Sequence, residues 1–168
     1  MPVDTRTAVY SGSFDPPTYG HIDLIRRACN TFHHVTVAIG FNPNKQATFS
    51  IDERLNFLRE SLSDCPNVTC DAFTGLLVDY CRKVGARVII RGLRAVADFE
   101  YEFQMALTNR DLAPEIETMF LIAATDKLFL SSSVVKEIAS CGRDITPYVP
   151  PCVAQVLNAR YASMKSKL

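Results

Sequence analysis

His21, the hydroxyl of Ser13 and a few basic side chains at the ends of apolar runs are the groups in this chain best suited to chemistry on phosphate. His21 and Ser13 share one stretch, SGSFDPPTYGH, residues 11–21. Thr7-Ala8-Val9-Tyr10 leads into it, and Ile22-Asp23-Leu24-Ile25-Arg26-Arg27-Ala28-Cys29 follows. Gly12, Pro16, Pro17 and Gly20 punctuate its middle, which spells strand, tight loop and helix, with His21 in the helix's first turn. Ile22, Ile25, Cys29 and Phe32 recur at helical spacing, so that face can pack on a sheet. A helix N-terminus presents unpaired N–H groups and partial positive charge, a ready site for phosphate. His21 and Ser13 would stand at that edge. Neither G-x-x-x-x-G-K-[ST] nor G-x-G-x-x-G occurs, so neither a P-loop nor a dinucleotide site is indicated.

Lys45, Arg91 and Arg94 can bring positive charge to phosphorylated ligands, Lys as a point charge and Arg as a fork for two phosphate oxygens. Gly92, between the arginines, would let the backbone approach a ligand. Ser131, Ser132 and Ser133 open a helix and could offer hydroxyls and first-turn N–H groups to phosphate, although serine there also serves as a plain cap. Asp15 could bind a cation, but an Asp before Pro in a turn is usually structural, and it is not assigned as a metal ligand.

The elements that must position these residues alternate along the chain. Residues 34–41, 67–73, 87–90 and 117–123 read as further strands. Between them, Ser50 with Glu53 forms a capping box for a helix whose buried stripe is Ile51, Leu55, Leu58 and Leu62. A helix over 76–84 closes at Gly85. The longest helix, 95–110, carries Val96, Phe99, Phe103 and Ala106 as one stripe and ends before Pro114. A helix from Ser131 through Cys141 ends at Gly142, and Pro150-Pro151 opens a last one with Val153, Val156 and Leu157 facing inward. Such alternation predicts an α/β fold: a Rossmann-like, doubly wound, mainly parallel five-stranded sheet with helices on both faces. Ligands in such sheets bind beyond the carboxyl ends of the strands. The loops holding Ser13, Lys45, residues 73–77, Arg91 to Arg94 and the serine run all follow strands, so they should meet at one edge.

At 168 residues the chain is most simply a single domain, 1–168, able to bury a core without disulfides or metal. Lys plus Arg (18) balances Asp plus Glu (18), so no global field draws it to nucleic acid or to a membrane, and neither is expected as a partner. No apolar run long enough to span a bilayer and no basic leader appears, which points to a cytoplasmic protein. The six cysteines form no C-x-x-C pair and the histidines no H-x₃₋₅-H, so reduced thiols rather than a zinc site or disulfides are expected.

T-Y-G-H resembles the (T/H)-x-G-H signature of the nucleotidyltransferase superfamily, and S-G-S-F-D-P-x-T-x-G-H-x-D is similar to that of bacterial phosphopantetheine adenylyltransferases. Three further strings resemble the same family in order: Asn42-Pro43-x-Lys45; Ile90-Arg91-Gly92-Leu93-Arg94 with Asp98-Phe99-Glu100-Tyr101-Glu102; and Ser131-Ser132-Ser133-x-Val135-Lys136-Glu137. Ser13 replaces the family's usual Thr, and Lys127 stands where some members have Trp.

The resemblance implies one nucleotidyltransferase domain that moves the adenylyl group of ATP to 4′-phosphopantetheine, giving dephospho-coenzyme A and pyrophosphate without a covalent enzyme intermediate. It implies His21 as transition-state stabiliser, with Lys45 and Arg91 also catalytic. Ser13, Lys45, Leu77 and Arg91 would bind phosphopantetheine. Ser13, Phe14, His21, Gly92, Leu93, Arg94 and Glu102 would bind ATP, together with Lys127, Leu128, Phe129, Leu130, Ser131, Ser132 and Ser133. Mg²⁺ would arrive with the triphosphate rather than in a protein cage. A homohexamer is implied as well. The alternatives are a nucleotidyltransferase with another acceptor and a catalytically silent nucleotide-binding regulator.

Overall fold

The computed structural model describes residues 6–44 and 46–165. β-Branched and aliphatic runs form five strands: β1 (Thr7–Gly12), β2 (His34–Gly40), β3 (Val68–Phe73), β4 (Val88–Leu93) and β5 (Glu117–Ile122). They make one sheet in the order β3-β2-β1-β4-β5, with every neighbouring pair parallel. Parallel neighbours need crossovers. These are α1 (Tyr19–Thr31), α2 (Ile51–Ser61), α3 (Leu77–Val84) and α4 (Val96–Leu112). A 3₁₀ turn (Thr125–Lys127), α5 (Ser132–Ser140) and α6 (Pro151–Lys165) follow β5. The doubly wound α/β arrangement expected from the alternation is the one observed.

Successive strand residues point to opposite faces, so β1 feeds two cores. Ala8 and Tyr10 pack with Ile25 of α1 and Leu58 of α2, while Val9 packs with Val78 and Cys81 of α3. A third cluster, including Phe49, Phe57, Val135, Val153 and Leu157, joins α2 to α5 and α6. Local signals match the sequence closely. Ser50 Oγ accepts the Glu53 N–H at 3.1 Å, and the Glu53 carboxylate accepts the Ser50 N–H at 2.8 Å. Gly85 ends α3 in the left-handed region, at φ 73°. All six cysteines are free thiols.

One expectation needs correction. β4 does not stop at Ile90; Arg91, Gly92 and Leu93 continue it, in register with Phe120, Leu121 and Ile122 of β5. Arg91 is therefore a strand residue, not a turn residue. The polar Arg-Gly pair reads locally as a loop, but a neighbouring strand of matching length keeps the ladder going. The apolar stripe expected on α4 is largely uncovered: Val96 is 86% exposed, Phe99 45% and Phe103 47%. Periodicity shows that a helix has an apolar face; it does not show what covers that face.

Leu58, with no exposed surface in the largest cluster, gives a test of this packing. Leu58→Ala should lower unfolding free energy in urea by ~2–5 kcal/mol with an unchanged denaturant slope.

Candidate active site

β1 continues through α1 to β2 on one side, while β4 and β5 lie on the other, so strand order reverses between β1 and β4. Connections leaving those two strands diverge, and the crevice between them is where doubly wound sheets bind ligands. A cavity of about 220 Å³ lies there. Ser13, Phe14 and His21 line it from the β1–α1 side, and Arg91, Gly92 and Arg94 from β4. Glu102 of α4, with Lys127 and Leu130 of the β5–α5 connection, lines it too. Two further cavities adjoin it. One of about 380 Å³ shares Ser13 and adds Ser132, Ser133 and Lys136. The other, of about 520 Å³, shares Arg91 and Glu102 and contains Leu77.

His21 is the third residue of α1, and its ring folds back over the cap. The Thr18 backbone N–H donates to Nδ1 at 3.0 Å, and Thr18 Oγ1 lies 3.2 Å from the same atom. An Nδ1 that accepts leaves the ring proton on Nε2. Burial, then the nearby Arg94 and Arg91 guanidinium groups, lower the His21 pKa from 6.5 to about 4. At neutral pH the ring is an uncharged donor in a positively charged cavity. Phe14, whose φ of 47° is unusual for a bulky residue, sets its ring edge-on to His21 at 5.2 Å and to Tyr10 at 5.6 Å. Burial pushes the Tyr10 hydroxyl up to about 12, so it stays protonated beneath the site.

Arg91 is committed more fully than its sequence context implies. Nε and Nη2 donate to the two Glu102 carboxylate oxygens at 2.7 and 2.6 Å. Nη1 donates to the Ser11 carbonyl at 2.8 Å and to Ser11 Oγ at 3.2 Å. Glu102 thus balances its charge and fixes its fork between β1 and α4. Arg94, past the strand, donates from Nη1 to the Leu130 carbonyl at 2.9 Å and from Nε to Asp98 at 3.3 Å. The Lys127 ammonium meets Asp126 at 2.7 Å. Gly92 lines the cavity and has a packing reason as well: a Cβ there would run into Leu24 Cδ1, so the glycine lets α1 pack tightly on β4.

The serine run divides its labour. Ser131 caps α5 by accepting the Val134 N–H at 3.2 Å, Ser132 Oγ donates to the Pro16 carbonyl at 2.7 Å, and Ser133 lines the second cavity. Leu93, Leu128, Phe129 and Ser131 line none of the three cavities. Leu93 ends the ladder opposite Ile122, Leu128 is 38% exposed, and the exposed Phe129 ring rests 5.9 Å from Tyr148. Lys45 lies outside the described residues. Asp15 binds backbone: its two oxygens accept the Thr48 and Phe49 N–H groups at 2.8 and 2.9 Å. Among the described residues, no three His, Cys, Asp or Glu side chains gather as a metal site.

The sequence did not single out three contributors. Thr18 orients His21; a threonine three residues before a first-turn polar side chain was the available signal. Arg54, buried on α2, donates to the Ser13 carbonyl at 2.9 Å, and an arginine beside an apolar stripe carries no mark of that task. Lys136 lies in a quoted motif, but its partners come from distant segments.

Comparison with known proteins shows the family and the fold. The cytidylyltransferase-like family profile matches residues 9–138. The phosphopantetheine adenylyltransferase of Heliobacterium modesticaldum is 54% identical over 154 residues, covering 92% of each chain. That of Caldanaerobacter subterraneus subsp. tengcongensis is 53% identical over 156 residues, covering 93% of this chain and 98% of its own. That of Dictyoglomus thermophilum is 54% identical over 154 residues, covering 92% and 94%. In fold, the crystal structure of a putative nicotinate-nucleotide adenylyltransferase from Vibrio parahaemolyticus superposes with a TM-score of 0.70 at 17% identity, covering 92% of this chain and 93% of that one. With a cytidylyltransferase-like profile over most of its length and such relatives at half identity or more, this chain belongs to the phosphopantetheine adenylyltransferase family of nucleotidyltransferases.

Proposed function

We propose that the protein transfers the adenylyl group of ATP to the phosphate of 4′-phosphopantetheine, releasing pyrophosphate and dephospho-coenzyme A, a step of coenzyme A biosynthesis. The observation that carries this is the neutral His21 ring, fixed as an Nε2–H donor in a cavity lined by Arg91 and Arg94. The names of the half-identical relatives supply the substrate pair.

In the reaction an acceptor phosphate oxygen attacks the α-phosphorus of ATP. One P–O bond forms, the bond to the bridging oxygen toward the β-phosphate breaks, and that electron pair leaves with pyrophosphate. No side chain need be a nucleophile; positioning and charge neutralisation suffice. His21 Nε2–H donates to an α-phosphate oxygen as its charge grows. Arg94 and the first-turn N–H groups of α5 face the departing phosphates. Ser13, shared by two cavities, reaches both substrates, and the cavity containing Leu77 receives the pantetheine arm. Arg91, held by Glu102, borders both ligands, with Lys45 at the acceptor phosphate. Among the described residues Glu102 is the one carboxylate lining the 220 Å³ cavity, and Arg91 already binds it, which supports Mg²⁺ arriving with ATP as MgATP.

The exposed apolar residues of α4, including Val96, Phe99, Phe103 and Leu107, support self-association, for which we propose a homohexamer. No helix among the described residues is long and apolar enough to cross a membrane, in keeping with a cytoplasmic setting.

The deciding experiment is pyrophosphate release from MgATP with 4′-phosphopantetheine, nicotinamide mononucleotide or glycerol 3-phosphate as acceptor. Turnover with the first alone is expected; turnover with a rival would reassign the acceptor, and ATP binding without turnover would make the protein a regulator. His21→Ala should cost ~2.7–4 kcal/mol of transition-state stabilisation, seen in kcat, with little change in ATP affinity. The depressed His21 pKa also sets a pH dependence. Between pH 6.5 and about 4 the unfolded chain binds a proton that the folded site refuses. Its contribution to stability is full above 6.5 and is lost as pH falls toward 4, so His21→Gln should flatten the fall in thermal midpoint over that window. Phe103→Glu should yield a smaller species in sedimentation velocity.

A further inference from the structure

Thr48 lies between β2 and α2, two residues before the Ser50 cap, and each of its polar groups is held by a charged side chain from a different segment. Its N–H donates to Asp15 Oδ2 at 2.8 Å. Its hydroxyl accepts from Lys136 Nζ at 3.2 Å, and its carbonyl accepts from Arg160 of α6. Lys136 Nζ also meets Asp15 Oδ2 at 3.3 Å, and the neighbouring Phe49 N–H donates to Asp15 Oδ1 at 2.9 Å. Asp15 is 8% exposed, so this carboxylate has given up most of its water to bind two peptide N–H groups and one ammonium.

Stability alone does not explain the arrangement. Desolvating an ion pair offsets much of its attraction, and apolar contact is the more effective anchor. Phe49 already supplies one: it is 1% exposed, edge-on to Phe57 at 5.1 Å, with the Arg160 guanidinium 4.5 Å over its ring. What the charged groups add is direction. They bind one residue at three points and leave its segment a single orientation.

That segment forms a wall of the site. Phe41 and Asn42 line both the 380 Å³ and the 520 Å³ cavity, and Gln46 and Ala47 line the former. The clamping groups come from the opposite walls: Asp15 follows Ser13 and Phe14, and Lys136 stands one turn after Ser132. We propose that Asp15 and Lys136 are positioning residues that hold the β2–α2 connection through Thr48 and thereby set affinity for the phosphorylated acceptor, not for ATP. The inference rests on the transferase reading given above. Lys136 acts here through Asp15 and Thr48 rather than by touching a phosphate itself.

Lys136→Gln and Asp15→Asn test this in steady-state kinetics with each substrate varied separately. Each should raise the acceptor KM roughly tenfold or more, the scale of a lost hydrogen bond to a charged group, while the ATP KM stays within about twofold. Lys136→Arg, which keeps a cationic donor, should restore most of the acceptor affinity. The double variant should be little worse than Asp15→Asn alone, because both members act through Thr48. An ATP KM that rises as far as the acceptor KM would overturn the proposal and make Lys136 a direct phosphate ligand. Unchanged KM values with only a lower thermal midpoint would reduce the cluster to a structural anchor. If wild-type protein releases no pyrophosphate with 4′-phosphopantetheine, the functional reading fails instead. The clamp is then read from amide hydrogen exchange at Thr48 and Phe49: clear acceleration in Lys136→Gln would support it, and unchanged rates would sink it.

Discussion

Parallel strands place all their carboxyl ends on one edge of a sheet, and everything functional in this molecule depends on where the order of those strands reverses. Between β1 and β4 the connections leave in opposite directions, which opens a crevice beyond the carboxyl ends of the two strands. Into it come the start of α1 with His21, the last residues of β4 with Arg91 and Gly92, and the connection before α5. The tight packing of α1 on β4 through Gly92 and Leu24 keeps His21 close to the arginines, and Glu102 reaches across from α4 to hold Arg91.

The electrostatics follow from that convergence. Loss of water around the imidazole, reinforced by the cationic side chains nearby, holds it neutral, and the Thr18 N–H decides which nitrogen keeps the proton. A neutral donor can follow charge building on phosphate without itself gaining or losing a proton. Arg91 would repel neighbouring cations if left unbalanced; its bidentate pairing with Glu102 turns it into a rigid strut with its charge matched. Strain at Phe14, with φ in the left-handed region, is concentrated in the loop that must carry Ser13 and the aromatic edge against His21.

A second level of organisation ties the walls of the site to one another. Arg54 holds the Ser13 carbonyl, Ser132 holds the Pro16 carbonyl, and the Asp15–Lys136 pair with Arg160 holds Thr48. The C-terminal helices, which contribute nothing to the sheet, act here as the frame for the loops above it.

Much of this was legible in the residues alone. The alternation of short β-branched runs with longer helical stripes pointed to a parallel α/β sheet, because β-branched enrichment and run length separate strand from helix where periodicity alone does not. The Ser50–Glu53 box, Gly85 and Gly142 marked helix ends through local backbone chemistry, and the ordered motifs around His21, Arg91 and Ser131 named the family. What the sequence could not determine was set by partners distant along the chain. The extension of β4 through Leu93 needed β5 beside it, the exposure of Phe99 and Phe103 depended on what α4 packs against, and the pairing of Arg91 with Glu102 required α4 to cross that strand. Local rules act within a few residues; a charge's partner, a glycine's neighbour and the cover on an apolar face are chosen only when the sheet brings remote segments together.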